Sequence, residues 1–356
     1  MKIDAPLLGS SLAVAAGLAR SHEAAGFDGV FTFDGPHDPF SSLALAAEHT
    51  DLDIATGVAI ALARSPMTVA QVAHDLQSFS GGRFTLGLGS QVRAHVEHRF
   101  SMSWTRPVSR MKEFVAALRA IFACWNDDAP LRFEGEFYSH TLMPPLLRPS
   151  PCEFGAPPIL LAGVGRAMLE AAGEVADGCV LHPFHSQRYL DVFALPAIAA
   201  GRERRSDGPA WPALAAGPGR PIDDAATSFG LVAQVLVVTG ADDAEMNSAR
   251  EAVRAQIAFY ASTPAYRPVL EAEGNGDLQV ELRSLTKQGR WSEMSVLVDD
   301  AMLERFAVVG TPGDAGRELR RRYAGVATRV AIATPMLLSE KAAAMLVAAF
   351  HKKNGV

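Results

Sequence analysis

The sequence predicts an α/β chain folded as a (β/α)8 barrel, and three observations carry that expectation. Short apolar runs alternate with amphipathic helical stretches along the chain, eight such runs can be counted, and none opens a glycine-rich dinucleotide fingerprint. The runs are Lys2–Asp4, Gly29–Phe33, Asp53–Ile60, Phe84–Gly89, Ile159–Gly163, Gly178–His182, Gly230–Thr239 and Arg329–Thr334. They are apolar almost throughout rather than alternating, as expected of strands covered on both faces in a parallel sheet.

The intervening helices are predicted over Ser11–Ala25, Pro66–Phe79, Arg106–Trp125, Arg166–Val175 and Asp242–Tyr260. Ser65-Pro66 is a strong start, an N-cap followed by proline at the first helical position, and Gly81 is a strong stop. Two segments exceed what a barrel needs. About seventy residues separate the fourth and fifth strands (insertion 91–156), where Leu131–Tyr138 reads as a hairpin turning at Gly135. A second insertion (257–305) precedes the last strand, with polar helix and loop but no strand over Ile257–Asp300, and is placed as a wall or lid of the site. Arg202–Pro221, rich in Gly, Pro and Arg, reads as a surface loop. With no repeat and no linker, one domain over residues 1–356 is the expectation.

Composition narrows the function. The chain has 356 residues, is 49% hydrophobic and 20% charged, and carries 33 basic against 39 acidic residues for a net charge of −6. A high apolar content excludes disorder, and the acidic balance argues against nucleic acid. No apolar stretch approaches the ~18 residues of a membrane span or the pattern of a signal peptide, so a cytoplasmic location is expected. Cys124, Cys152 and Cys179 are too few and too scattered for disulfides, and neither they nor the histidines form a metal-ligand pattern.

In a barrel of this type the site gathers where the strands end. After the second strand stands Phe33-Asp34-Gly35-Pro36-His37-Asp38-Pro39-Phe40. Asp38 before Pro39 reads as a helix cap, whereas Asp34 and His37 are candidates for acid/base work or for holding a polar cofactor. Gly57, inside the third apolar run, suggests a bulge or a close backbone approach by a ligand, with tight strand packing an equal alternative. Gly87 and Gly89 would leave room for a flat ring at the mouth, and Ser90 and Gln91 could hydrogen-bond it. Gly163-Val164-Gly165-Arg166 joins strand, turn and helix. Its amides and the Arg166 guanidinium read as an anion site, an ordinary tight turn being the alternative. His182 ends the sixth strand, where a packed structural role and a functional one are both open. Arg320-Arg321-Arg322 beside Glu318 reads as a solvated face.

These segments stand in a familiar order. EAAGFDGVFTFDGPHDPF, IATGVAIALARSP, SGGRFTLGLGSQV, RMKEFVAALRAIFACW with FEGEFY, and PPILLAGVGRAMLEAAGEVADG with HPF resemble the bacterial luciferase-like superfamily, in the branch that uses the deazaflavin coenzyme F420. QIAFYASTPAYRPVLE, RWSEM and FAVVGTPGDAGRELRRRY are similar to one subgroup of that branch. The resemblance implies a homodimeric barrel that holds the cofactor ring at the carboxyl mouth. It implies hydride exchange between F420 and a small organic substrate, with FMN as the alternative cofactor of a monooxygenase and a non-catalytic cofactor-binding barrel as a further alternative.

By the same resemblance a non-prolyl cis peptide maps onto Gly57-Val58, next to Ala59. Asp34, Gly89, Ser90 and Gln91 approach the ring or its ribityl chain, and Gly163, Val164 and Gly165 form the phosphate turn. The chain departs from the pattern twice. The usual Asp-His pair is Asp34-Gly35 here, which leaves the histidine's part vacant or taken by His37, and Arg166 stands where proline is common.

Overall fold

The computed structural model describes residues 1–9, 11–205 and 229–352. Eight parallel strands, β1 (Lys2–Pro6), β2 (Gly29–Thr32), β3 (Asp53–Thr56), β4 (Phe84–Gly89), β5 (Ile159–Gly163), β6 (Gly178–Leu181), β7 (Gly230–Val238) and β8 (Arg329–Ile332), pair in sequence order. The register Lys2 to Arg329, Ile3 to Val330 and Asp4 to Ala331 joins β8 to β1 and closes the barrel. Each strand lies within a residue or two of its expected range, except the third.

That exception is a correction. The run Asp53–Ile60 is not one strand: β3 stops at Thr56, Gly57-Val58 is a non-prolyl cis peptide, and Ala59–Ile60 resumes pairing with Leu88–Gly89. A second difference lies on β7. Its lower half pairs with β6 and β8, but Leu236–Val238 continue upward and pair with a short strand, Ala307–Val309, that three residues of sequence did not announce.

The helices packed around the barrel are α1 (Leu12–Ala24), α2 (Ser41–His49), α3 (Pro66–Phe79), α4 (Pro107–Asn126), α5 (Arg166–Val175), α6 (Leu195–Glu203), α7 (Asp243–Ala261), α8 (Pro312–Tyr323) and α9 (Glu340–His351). Their ends follow the sequence signals. The Ser65 hydroxyl accepts from the Thr68 amide at 3.2 Å, and Gly81 takes φ +67° just past the end of α3.

The hairpin forms as expected, pairing Phe133–Glu134 with Ser139–His140. Glu113 on α4 holds its turn, accepting from the amides of Glu136, Phe137 and Tyr138 at 2.6–2.9 Å. The segment 257–300 is helical and without strand. Of the expected loop Arg202–Pro221, Arg202 and Glu203 complete α6 and residues 206–221 lie outside the described residues.

The amino ends of the strands are stitched by charge. Arg329 donates to Asp4 and, at 2.7 Å, to Asp53, and Lys2 pairs with Asp53. These groups line the barrel interior with Phe31, Leu160 and Val180, so this end of the barrel is closed by a salt-bridge network and serves stability. Among the described residues no helix is long and apolar enough to cross a membrane, and no cluster of His, Cys, Asp or Glu could hold a metal.

Candidate active site at the carboxyl mouth

The β2–α2 loop and the broken third strand are locked together. Asp34 leaves β2 with its side chain only 7% exposed. Its amide donates to the Val58 carbonyl at 3.1 Å. Its Oδ2 accepts from the Ile60 amide at 2.6 Å, and its two oxygens take both arms of the Arg64 guanidinium at 2.5 and 2.8 Å. Arg64 also donates to the Ile60 carbonyl at 3.1 Å and lies 5.5 Å from the centre of the Phe40 ring. Asp38 does what a cap does, with Oδ2 accepting from the amides of Phe40 and Ser41 at 3.0 and 2.9 Å. His37 is exposed.

The bulge is packed from below. A side chain at Gly57 would stand 2.8 Å from the Phe31 ring and 2.9 Å from the Gln234 amide. Gln234, on β7 and 8% exposed, donates to the Gly57 carbonyl at 2.8 Å. The glycine is therefore set by packing inside the barrel as well as by the turn. Gly89 adjoins this surface, for a Cβ there would fall 2.7 Å from Val58 Cγ2 and 3.9 Å from Ala162. Gly87 needs a correction. A Cβ there would meet the Thr56 carbonyl oxygen at 2.1 Å, so close strand approach requires this glycine, not a ring at the mouth. Ser90 and Gln91 turn onto the chain itself: Ser90 Oγ donates to the Gln91 carbonyl at 3.1 Å, and Gln91, at φ +62°, accepts from the Val92 amide.

On the next strand, β5 runs into Gly163-Val164-Gly165 and then α5. Gly165 is the N-cap residue and no side chain caps this helix, so its first amides remain available to an acceptor. No atom lies within 4 Å of where a Gly165 side chain would begin. The Val164 carbonyl is tethered by the Tyr189 hydroxyl. Arg166 is 56% exposed, 3.7 Å from Glu170 and over the Phe193 ring at 5.3 Å.

His182 follows β6 directly, one residue past the pairing of Gly163 with Leu181. Its Nδ1 accepts from the Phe184 amide at 3.1 Å, so the neutral ring carries its proton on Nε2. The ring lies between Tyr266, tilted at 41° with centroids 4.4 Å apart, and Tyr260, edge-on at 4.6 Å. Burial, helped by nearby His185, pulls its pKa down to about 3. Burial also raises both tyrosine hydroxyls. This corner is uncharged at neutral pH and offers hydrogen bonds rather than protons.

The structure thus brings Asp34 and part-exposed Val58 together, with Gly163–Gly165 on β5 and His182 one strand further; Ala59 is a correction, being fully buried in the core, and Gly89 is buried with Val58 filling the space beside it. Arg64, Gln234, Tyr260 and Tyr266 complete the arrangement and were not picked out from the sequence. Gln234 had a signal, being the one polar residue in the apolar run Leu231–Val238, since a buried amide needs a partner.

Comparison with known proteins agrees with this fold. A family model described as luciferase-like monooxygenase matches residues 3–329. An uncharacterized protein of Mycobacterium tuberculosis is 48% identical over 93% of this chain and 92% of its own length. The 5,10-methylenetetrahydromethanopterin reductase of Methanolobus tindarius is 26% identical, covering 92% of each. Among solved structures, the coenzyme F420-dependent tetrahydromethanopterin reductase from Methanopyrus kandleri superposes with a TM-score of 0.74 at 19% identity, over 97% of this chain and 96% of that one.

Proposed function

The chain belongs to the luciferase-like monooxygenase family, and on that premise we propose that it is an oxidoreductase working with the deazaflavin coenzyme F420 on a small organic substrate. The observation that carries the cofactor reading is the Gly163–Gly165 turn. It feeds a helix N-terminus without a side-chain cap at the carboxyl face of the barrel, which is the backbone arrangement that takes a phosphate. Val58, part-exposed on the bulge and lying over Gly89, is the surface for a flat ring. Ser90 and Gln91 lie at its edge, and Arg166 adds a guanidinium at the phosphate end. Bound there, the deazaflavin supplies the hydride chemistry through its ring carbon C5, and the protein supplies orientation and electrostatics.

His182 fits a donor's role. Its Nε2–H, uncharged, suits a carbonyl or hydroxyl oxygen of the substrate better than a carboxylate, and exposed His37 is the histidine in reach of water. The relatives named as methanopterin reductases, one of them F420-dependent, support the same reading.

The test is fluorescence titration of the purified protein with F420 and with FMN. Saturation by F420 at micromolar concentration is expected. Uptake of FMN with F420 no better than millimolar would overturn the proposal, and oxygen uptake with reduced FMN would then assign a monooxygenase.

A further inference from the structure

Asp34 is the carboxylate that position alone would nominate as an acid or base, yet its hydrogen-bonding capacity is committed. Oδ1 takes one arm of Arg64, and Oδ2 takes the other together with the Ile60 amide. The amide of the same residue holds the Val58 carbonyl. Asp34 therefore grips both ends of the three-residue stretch Val58–Ile60, in which Val58 is part-exposed while Ala59 and Ile60 are buried. Arg64 is itself fixed, because it stands between the turn Ala61–Ala63 and the capped start of α3, and its guanidinium also ties back to the Ile60 carbonyl. A planar fork bound on both arms leaves little freedom to either side chain.

We propose that Asp34 and Arg64 are a positioning pair. They set the attitude of Val58–Ile60 relative to β4, and so the surface on which the cofactor ring rests, while Asp34 itself passes no proton. The inference deepens the proposed function and rests on it for the ring, but the clamp is a property of the chain alone. It assigns Arg64, thirty residues away in sequence, a part in cofactor binding that no motif reveals.

The test compares Asp34→Asn, Arg64→Gln, their double variant and Arg64→Lys. The first measurement is hydrogen exchange at the Ile60 amide of the protein without added cofactor. Each single variant should speed exchange about 10- to 100-fold, the effect of losing a hydrogen bond to a charged group. The double variant should add little, since the two residues act as one unit. Arg64→Lys keeps the charge but not the fork, and should fall with the losses rather than rescue them.

The second measurement is F420 fluorescence titration, where the same variants should share one common rise in Kd, about 10-fold or more. Effects that multiply in the double variant, or unchanged exchange in Asp34→Asn, would overturn the clamp whatever the wild type binds. Coupled exchange in a protein that binds no F420 would instead remove the ring from the proposal and sink the proposed function separately.

Discussion

Acid should destabilise this protein through His185, and the size of the effect follows from the contacts. The side chain is 4% exposed. Its Nδ1 faces the His182 carbonyl at 2.7 Å and must donate, so Nε2 is the acceptor of the Tyr323 hydroxyl at 2.8 Å. Burial is the largest influence and pulls its pKa down to about 4, with the nearby Arg322 guanidinium acting the same way and the bond to His182 opposing.

An unfolded histidine titrates near 6.5. As pH falls the unfolded chain takes the proton first, so stability present above about pH 6.5 is lost on the way to pH 4. Two and a half units at about 1.4 kcal/mol each give roughly 3 kcal/mol over that window. Protonation would also turn Nε2 into a donor, and the Tyr323 hydroxyl would have to rotate to accept from it. Urea unfolding at pH 7 and pH 4 of wild type and His185→Gln measures it. The variant should be weaker at pH 7 and lose about 3 kcal/mol less than wild type on acidification. Because His182 shifts in the same direction, the comparison must be between proteins, not between pH values alone. Equal acid losses in the two would refute the reasoning.

Other expectations follow from single contacts. Arg329→Met leaves Asp4 buried without its partner and should cost about 3–5 kcal/mol. Burial already outweighs the arginine and holds the Asp4 carboxyl above its usual range, so the loss should be larger at pH 7 than at pH 4; thermal melts of equal depression at both would contradict this. Gly87→Ala forces a Cβ onto the Thr56 carbonyl and should lower the urea midpoint by at least ~1–3 kcal/mol of stability, with an unchanged midpoint counting against the close-approach explanation. Gly165→Asp has room for its side chain and supplies the missing cap, so stability should rise by about 0.3 kcal/mol. The same carboxylate competes for the α5 amides, so F420 affinity should fall at least tenfold, and an affinity left intact would remove the phosphate from that turn.

The parts of the barrel that the sequence shows are those where one physical signal dominates. Phe84–Gly89 and Ile159–Gly163 match to the residue because a strand buried on both faces is apolar throughout. Ala307–Val309 is too short to stand out from the helix that precedes it. The interruption after Thr56 is hidden because Ile54-Ala55-Thr56-Gly57-Val58-Ala59-Ile60 stays apolar across it, and only Gly57 hints at the break. At the site, strand ends located Asp34, Gly89, Gly163–Gly165 and His182 by position. What each does there depends on partners far along the chain: Arg64 for Asp34, Gln234 for Gly57, Tyr260 and Tyr266 for His182. An arginine just before Ser-Pro looks like any solvated residue until the loop opposite presents a carboxylate.

Those partnerships bear on how an acidic chain could hold an anionic cofactor. Of the arginines near the mouth, Arg64 is engaged by Asp34 and Arg99 by the Gly35 carbonyl, while Arg166, at the start of α5, stays 56% exposed beside Glu170 and the Phe193 ring. The basic run on α8 is consumed as well, since Arg321 and Arg322 pair with Glu318 and Arg320 donates to the Phe350 carbonyl. The sequence expectation of a solvated face holds for Arg321, but Arg322 is only 18% exposed and reaches the Ala307 carbonyl. With Arg64 and Arg99 spent on architecture, the attraction left for a phosphate is the exposed Arg166, the amides of Gly163–Gly165 and the partial positive charge of the α5 terminus. That attraction is directional and short-ranged. Selectivity at such a site comes from the fit of the turn and the ring wall, not from a long-range field, and this is why a net charge of −6 is no obstacle to a polyanionic cofactor.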